Sequence, residues 1–221
     1  MATKTIDADT MGDRAQTLLD WTRLNSRWLT IGGVIVVVAA GGYWFYTRSR
    51  EIQTRNAETA LGNARQAMSA GNLPLAQSDL QQVYAKYGST AAGVQAAMLI
   101  AQIDYDAGKN QDGISILQKV SGSGPAAYLE STVRSLEGDG YAQLGKPVDA
   151  AKQYAAAAQA TQFKNEKAFY QAKAARAYQA AGDTASAHKI WSVLATDPDA
   201  KAMATEARVR LGELTARVAT K

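Results

Sequence analysis

Two patterns of hydrophobic and polar positions divide the chain. From Trp28 to Thr47 the sequence WLTIGGVIVVVAAGGYWFYT carries no charge over 20 residues and lies between Arg27 and Arg48. At about 1.5 Å rise per residue, that length crosses a hydrocarbon layer of about 30 Å, so the run predicts one transmembrane helix. Trp28 at one end and Tyr43, Trp44 and Tyr46 at the other would put amphipathic rings at the two membrane interfaces. The run starts well inside the chain and has no Ala-x-Ala site before its aromatic cluster, which argues against a cleaved signal peptide. Ahead of it, Met11, Ala15, Leu18, Trp21 and Leu24 fall near one helical face. The arm 1–27 therefore reads either as carrying a short interfacial helix or as an unstructured tail.

Beyond a connection at 48–56 the pattern becomes helical and recurrent. Gly71, Gly108, Gly145 and Gly182 stand 37 residues apart. Seven residues before each is a small residue (Ala64, Ala101, Gly138, Ala175), and five after each is another (Ala76, Gly113, Ala150, Ala187). Nine after comes a bulky one (Leu80, Leu117, Tyr154, Trp191). This is a helical hairpin written four times: small residues face each other across the turn, the large residue fills the space toward the next hairpin, and glycine ends the first helix in a left-handed conformation. The predicted helices are 57–70 and 75–84, 92–106 and 111–119, 127–143 and 147–161, and 166–180 and 184–195. Pro147 opens a second helix, and Pro74 immediately precedes another, positions where a missing amide donor is tolerated. The stretch 200–217 predicts a capping helix with Ala204, Ala207, Leu211 and Leu214 toward the array. Ser121 to Pro125 (SGSGP) reads as a joint between the second and third units. The fold class is all-α: one N-terminal transmembrane helix, a solenoid of about four hairpins over 57–199, and a C-terminal cap.

Composition narrows the chemistry. With 24 Lys and Arg against 20 Asp and Glu, the charge is modest and mixed. There is no stripe of basic residues interleaved with aromatics, so no nucleic-acid partner is expected. Cysteine is absent and His188 is the single histidine, predicted at the surface of a second helix, which leaves no metal set and no cofactor site. Glu130 and Glu137, seven apart on one predicted helix, read as solvation or ion pairing rather than an acid–base couple, and Asp104 and Asp106 point to different faces. No catalytic residue is assigned, and the chain is not expected to be an enzyme. Three arginines precede the apolar run (Arg14, Arg23, Arg27) and three follow it (Arg48, Arg50, Arg55), so charge does not orient it.

The phrases AMSAGNLPLAQSDLQQVYAKYG, AQIDYDAGKNQDGISILQKV, GYAQLGKPVDAAKQYAAAAQ and AYQAAGDTASAHKIWSVLATDPD resemble tetratricopeptide-type hairpins. The aromatic four residues before the turn glycine is present as Tyr141 and Tyr178 but is Ala67 and Asp104 in the first two units, and the spacing of 37 exceeds the family's 34. The layout of arm, apolar run and repeats resembles the single-anchor ancillary translocon-subunit family of bacteria. That resemblance implies a bacterial inner (cytoplasmic) membrane protein of single-pass type, with its N-terminus cytoplasmic and its repeat domain periplasmic. It also implies that first helices line a protein-binding groove, where the repeat register places Arg65, Gln102, Asp139 and Arg176 at one position and Met68 and Tyr105 at another. The expected function is a non-enzymatic, membrane-anchored interaction subunit that stabilises or assembles an inner-membrane complex, with the lipid bilayer and an integral membrane protein complex as partners. One alternative is an ancillary secretion-translocon subunit recruiting periplasmic chaperones to the secretion channel. Another is an accessory subunit of a photosynthetic reaction-centre and light-harvesting complex.

Overall fold

The computed structural model describes residue 21 and residues 26–122 and 124–219, and the arm proposed to hold an interfacial helix lies almost entirely outside them. The chain divides into two units, Met1–Ile52 and Gln53–Lys221. Helix α1, Ser26–Ser69, carries the apolar run in the first unit, and its residues from Gln53 belong to the second. The segment 48–56 is thus helical. An 18-residue window within Thr30–Ser69 has a mean hydropathy of 1.4 and none of it is buried, which makes α1 long and apolar enough to cross a membrane. Trp28, Tyr43, Trp44 and Tyr46 are all exposed, and the Arg50 guanidinium sits 5.0 Å above the Tyr46 ring.

The second unit is an all-helical solenoid of repeated helix pairs with a terminal cap. After the arm of α1 come α2 (Leu73–Tyr87), α3 (Ala91–Asp106), α4 (Asn110–Val120), a 3-10 segment (Gly124–Leu129), α5 (Glu130–Gln143), α6 (Pro147–Ala160), α7 (Lys164–Ala180), α8 (Thr184–Thr196) and α9 (Lys201–Ala219). No strand occurs among the described residues.

The four turn glycines have φ of 75, 74, 68 and 79° at Gly71, Gly108, Gly145 and Gly182. Each donates its N–H three residues back, and the next residue donates five back: Gly71 to Met68 and Asn72 to Ala67, Gly108 to Tyr105 and Lys109 to Asp104, Gly145 to Ala142 and Lys146 to Tyr141, Gly182 to Gln179 and Asp183 to Tyr178. That pair of bonds is the Schellman arrangement, which satisfies the helix's last carbonyls and needs a left-handed residue where a side chain would be strained. The following helix is capped by a side chain in two units, Asn72 Oδ1 accepting from Leu75 N at 3.2 Å and Asp183 Oδ1 from Ser186 N at 3.0 Å.

The small residues across the turn are sealed inside: Ala64, Ala101, Ala175, Ala76, Ala150 and Ala187 have no exposed surface. Leu80, Leu117 and Trp191 are equally closed off, and Tyr154 nearly so. Where the small residue is glycine, an aromatic ring uses the space. A Cβ at Gly138 would stand 2.5 Å from the Tyr154 ring, and one at Gly113 would strike the ring of Tyr105. The cores therefore form at successive hairpin joints. Ala57, Leu61, Leu80 and Val83 pack on Ala92, Ala96 and Ile100, and Ile114, Leu117 and Val120 on Val133. Trp191 and Leu194 pack on Ala207 and Leu214 of the cap.

The third hairpin starts later than the sequence predicts. Residues 124–129 wind as a 3-10 segment with a kink at Ala126 (φ −102°, ψ 17°), and the α-helix begins only at Glu130. Glu130 accounts for the delay: its Oε2 accepts from Gly122 N at 2.6 Å and its Oε1 from the Ser121 hydroxyl at 2.8 Å, tying the connection back onto the first turn of α5.

Candidate protein-binding groove

Consecutive first helices leave a groove between them. Between α3 and α5 it is a cavity of about 390 Å³ lined by Gln102, Tyr105, Asp106, Leu136, Asp139, Ala142 and Gln143. Three residues that the repeat register places on the groove, Gln102, Tyr105 and Asp139, therefore meet at one site. Tyr105 contributes little free surface, being 7% exposed. Its ring lies under Gly113 and Gly140, and its hydroxyl donates to the Leu136 carbonyl at 3.1 Å, a bond across the hairpin joint. Burial, with Asp139 nearby, pushes its phenol well above the usual tyrosine range.

Asp139 is the hub. Its Oδ1 accepts from the Tyr154 hydroxyl at 2.6 Å and from Lys173 Nζ at 2.6 Å. Lys173 also donates to Ser135 Oγ at 3.1 Å, and its ammonium rests 4.6 Å from the Tyr154 ring centre and 5.9 Å from that of Phe169. A half-buried cation held by a carboxylate and two aromatic faces is fixed without needing water. The Tyr154 phenol is pushed far above its ordinary value by burial and by its bond to Asp139.

The other register residues are placed differently. Arg65 donates to Gln95 Oε1 at 2.6 Å, on the next first helix. Met68 is partly buried against the first core. Arg176 forms a two-pronged pair with Glu206 of the cap, Nε to Oε1 at 2.7 Å, and these bonds hold the Glu206 carboxyl below its usual range. Both arginines are thus engaged as struts between neighbouring helices.

Lys173 was missed on the sequence, although a signal exists. Its column in the 37-residue register reads Gly62, Leu99, Leu136, Lys173, so one charge stands where two units carry leucine. Glu137, expected to be solvated or ion-paired, is ion-paired with Arg134 but not solvated. It has no exposed surface, and neither carboxyl oxygen has a hydrogen-bond partner; only Arg134 Nη1 approaches, at 3.7 Å. Its column reads Asn63, Ile100, Glu137, Ala174, the positions that face the preceding hairpin. His188 is exposed on α8, with Ser192 Oγ 3.3 Å from its Nδ1. Among the described residues no cluster of metal-ligating side chains occurs.

Comparison with known proteins agrees with this architecture. The model of the tetratricopeptide repeat-like domain matches residues 20–134 and again 59–176. No curated protein matches the chain. Among solved structures, a putative kinesin light chain of Podosopora anserina with nearly identical TPR-like repeats is 18% identical, covering 75% of this chain and 97% of that one, with a TM-score of 0.53. A variant of the same protein gives 18%, 74%, 94% and 0.53. PcrH in complex with the chaperone binding region of PopD is 21% identical over 58% of this chain and 95% of that one, with a TM-score of 0.46.

These matches correct the localisation drawn from the resemblance. The chain was expected in a bacterial inner (cytoplasmic) membrane as a single-pass protein, with a cytoplasmic N-terminus and a periplasmic repeat domain. The solved structures it resembles at a TM-score of 0.53 are kinesin-light-chain repeat proteins rather than integral single-pass membrane proteins. The expectation rested on an apolar run placed ahead of the repeats, and a run of that length and composition also occurs in buried core helices and in leaders.

Proposed function

Because the chain belongs to the tetratricopeptide repeat-like domain family, a fold class that binds proteins rather than catalysing reactions, we propose that the groove between α3 and α5 receives a segment of a partner protein and that the chain acts as a recruiting subunit for a chaperone. The observation that carries this reading is the make-up of the groove. Gln102, Asp106 and Gln143 are exposed around the partly buried Leu136, on a floor braced by Asp139, Lys173 and Tyr154. A short polar groove with one apolar centre suits a segment bound and released. A permanent subunit contact would call for a broad apolar face. Of the exposed large apolar residues of the repeat unit, Tyr128 and Phe163 share the lining of one cavity, while Leu75, Val148 and Val209 stand on separate elements. That distribution favours recruitment over a structural role in a stable assembly, and no feature of the described residues favours the photosynthetic setting.

The test is site-directed photo-crosslinking in the full chain. A crosslinker at Gln102 or Gln143 is expected to capture a defined chaperone, while one at His188, exposed on a second helix, captures far less. Equal labelling from all three positions would refute the groove. Labelling from the groove positions of a stoichiometric complex instead of a chaperone would refute recruitment.

A further inference from the structure

We propose that Glu137, together with Arg134 and Glu130, forms a proton-sensitive joint between the second and third hairpins: neutral Glu137 keeps the joint closed, and its ionisation loosens it.

The geometry is that of one arginine serving two carboxylates of unequal standing. Arg134 Nε donates to Glu130 Oε1 at 2.7 Å, and Nη1 reaches Gln153 Oε1 of α6 at 3.4 Å. Glu130 in turn clamps the connection through Ser121 and Gly122. Arg134 therefore braces the 121–130 connection and the α5–α6 packing at once. Glu137, one helical turn further in, lies on the face of α5 that carries Val133, which packs on Ile114, Leu117 and Val120 of α4. Both of its oxygens are without a hydrogen bond.

No group on the neighbouring elements supplies one. On α3 the Tyr105 hydroxyl is committed to the Leu136 carbonyl, and burial pushes the nearly buried Asp104 carboxyl up. On α4 the charged residues Asp112 and Lys119 are exposed. On α6 the Tyr154 hydroxyl is committed to Asp139, and Lys152 pairs with Asp149. A carboxylate in such a place is strongly disfavoured, whereas the neutral acid is tolerated. Burial pushes the Glu137 carboxyl from 4.5 up to about 7, with Arg134 pulling it down and Glu130 pushing it up. Burial acts on Glu130 too, but the bonds from Gly122, Ser121 and Arg134 outweigh it and hold that carboxyl below its ordinary range. Glu130 thus stays ionised while Glu137 titrates.

When Glu137 ionises, the only cation within reach is Arg134, and each step of Arg134 toward it weakens the bonds to Glu130 and Gln153. The sign follows from proton linkage. The folded state holds its proton up to about pH 7 and the unfolded chain only to 4.5. The stabilisation is therefore complete below about pH 4.5, falls as pH rises through that window, and is gone above about 7. Across the window the local closing equilibrium loses up to about 300-fold.

Amide hydrogen exchange of the full chain in mild detergent, corrected for intrinsic rates, reads the joint directly. Protection over residues 121–143 is expected to drop about 10-fold to 70-fold between about pH 5 and about pH 8, while residues 184–196 stay level. Glu137→Gln abolishes the drop, and so does Glu137→Ile, which installs the residue found at Ile100 in the same register. Should Glu137→Gln not fold, the isoleucine variant decides together with a carbon-detected titration of the wild-type Glu137 carboxyl. Wild-type protection that is flat with pH, a variant that keeps the wild-type slope, or a carboxyl titrating near 4.5 would each overturn the proposal.

Discussion

Gly138→Ala should destabilise the protein, although alanine is the better helix former. In an open helical position the exchange gains about 1 kcal/mol, because glycine gives up more backbone freedom on folding. At Gly138 the new methyl would stand 2.5 and 2.6 Å from Cε1 and Cδ1 of Tyr154, well inside contact distance, so the ring must move. Overpacking of this kind costs about 1 to 3 kcal/mol. Moving the ring also pulls its hydroxyl from Asp139 Oδ1, 2.6 Å away, and a hydrogen bond to a charged acceptor is worth about 1.5 to 3 kcal/mol. After the propensity gain is subtracted, the net loss is about 1.5 to 5 kcal/mol. Gly62→Ala is the matched control: Gly62 also lies inside a helix of the repeat unit, but nothing comes within 4 Å of its Cβ position. It should stabilise by about 1 kcal/mol. Urea unfolding followed by far-UV circular dichroism compares the midpoints, and hydrogen exchange locates the effect, which should centre on α5–α7 because each hairpin packs mainly on its neighbours. If the two variants shift the midpoint in the same direction, the close ring-on-glycine packing does not exist in solution.

Gly145→Ala, at φ 68°, should cost about 1 to 2 kcal/mol and raise exchange at the α5–α6 turn, with no loss of protection at α8. Below about pH 4.5 the cap should fray first: the Glu206 carboxyl is held low by Arg176, so its contribution is present above 4.5 and vanishes as pH falls through its folded value. Arg176→Gln should make the exchange of α9 insensitive to acid over that range.

What could be read from the sequence was what repeats. Gly71, Gly108, Gly145 and Gly182 announce themselves because a Schellman turn requires a left-handed residue each time, and the paired small positions because two helices approach closely at each turn. What could not be read was what happens once. The 3-10 entry to α5 depends on Glu130 reaching back to Ser121 and Gly122, a contact that periodicity does not encode. Arg65 and Arg176 were expected to face a ligand because their column faces the groove, yet a long side chain there can also reach the next helix, as both do. Lys173 is the single charge in an otherwise apolar column and Glu137 the single charge in a column of Asn63, Ile100 and Ala174, both visible only when the four units are compared position by position. The apolar run of α1 was legible as a long exposed helix, but its compartment was borrowed from a resemblance of layout and did not hold.

The column that reads Ile100, Glu137 and Ala174 along the array begins with Asn63, exposed on the outward side of the first hairpin. An array of like units is in principle an open-ended ladder: any face that accepts the preceding hairpin would also accept the far end of another molecule, and such head-to-tail contacts extend into filaments. With Asn63 at one end and the Arg210–Glu213 ion pair on the cap at the other, both rungs where a second copy would attach are polar. Each end of the array thus sets polar side chains where a second copy would meet it, which disfavours such growth.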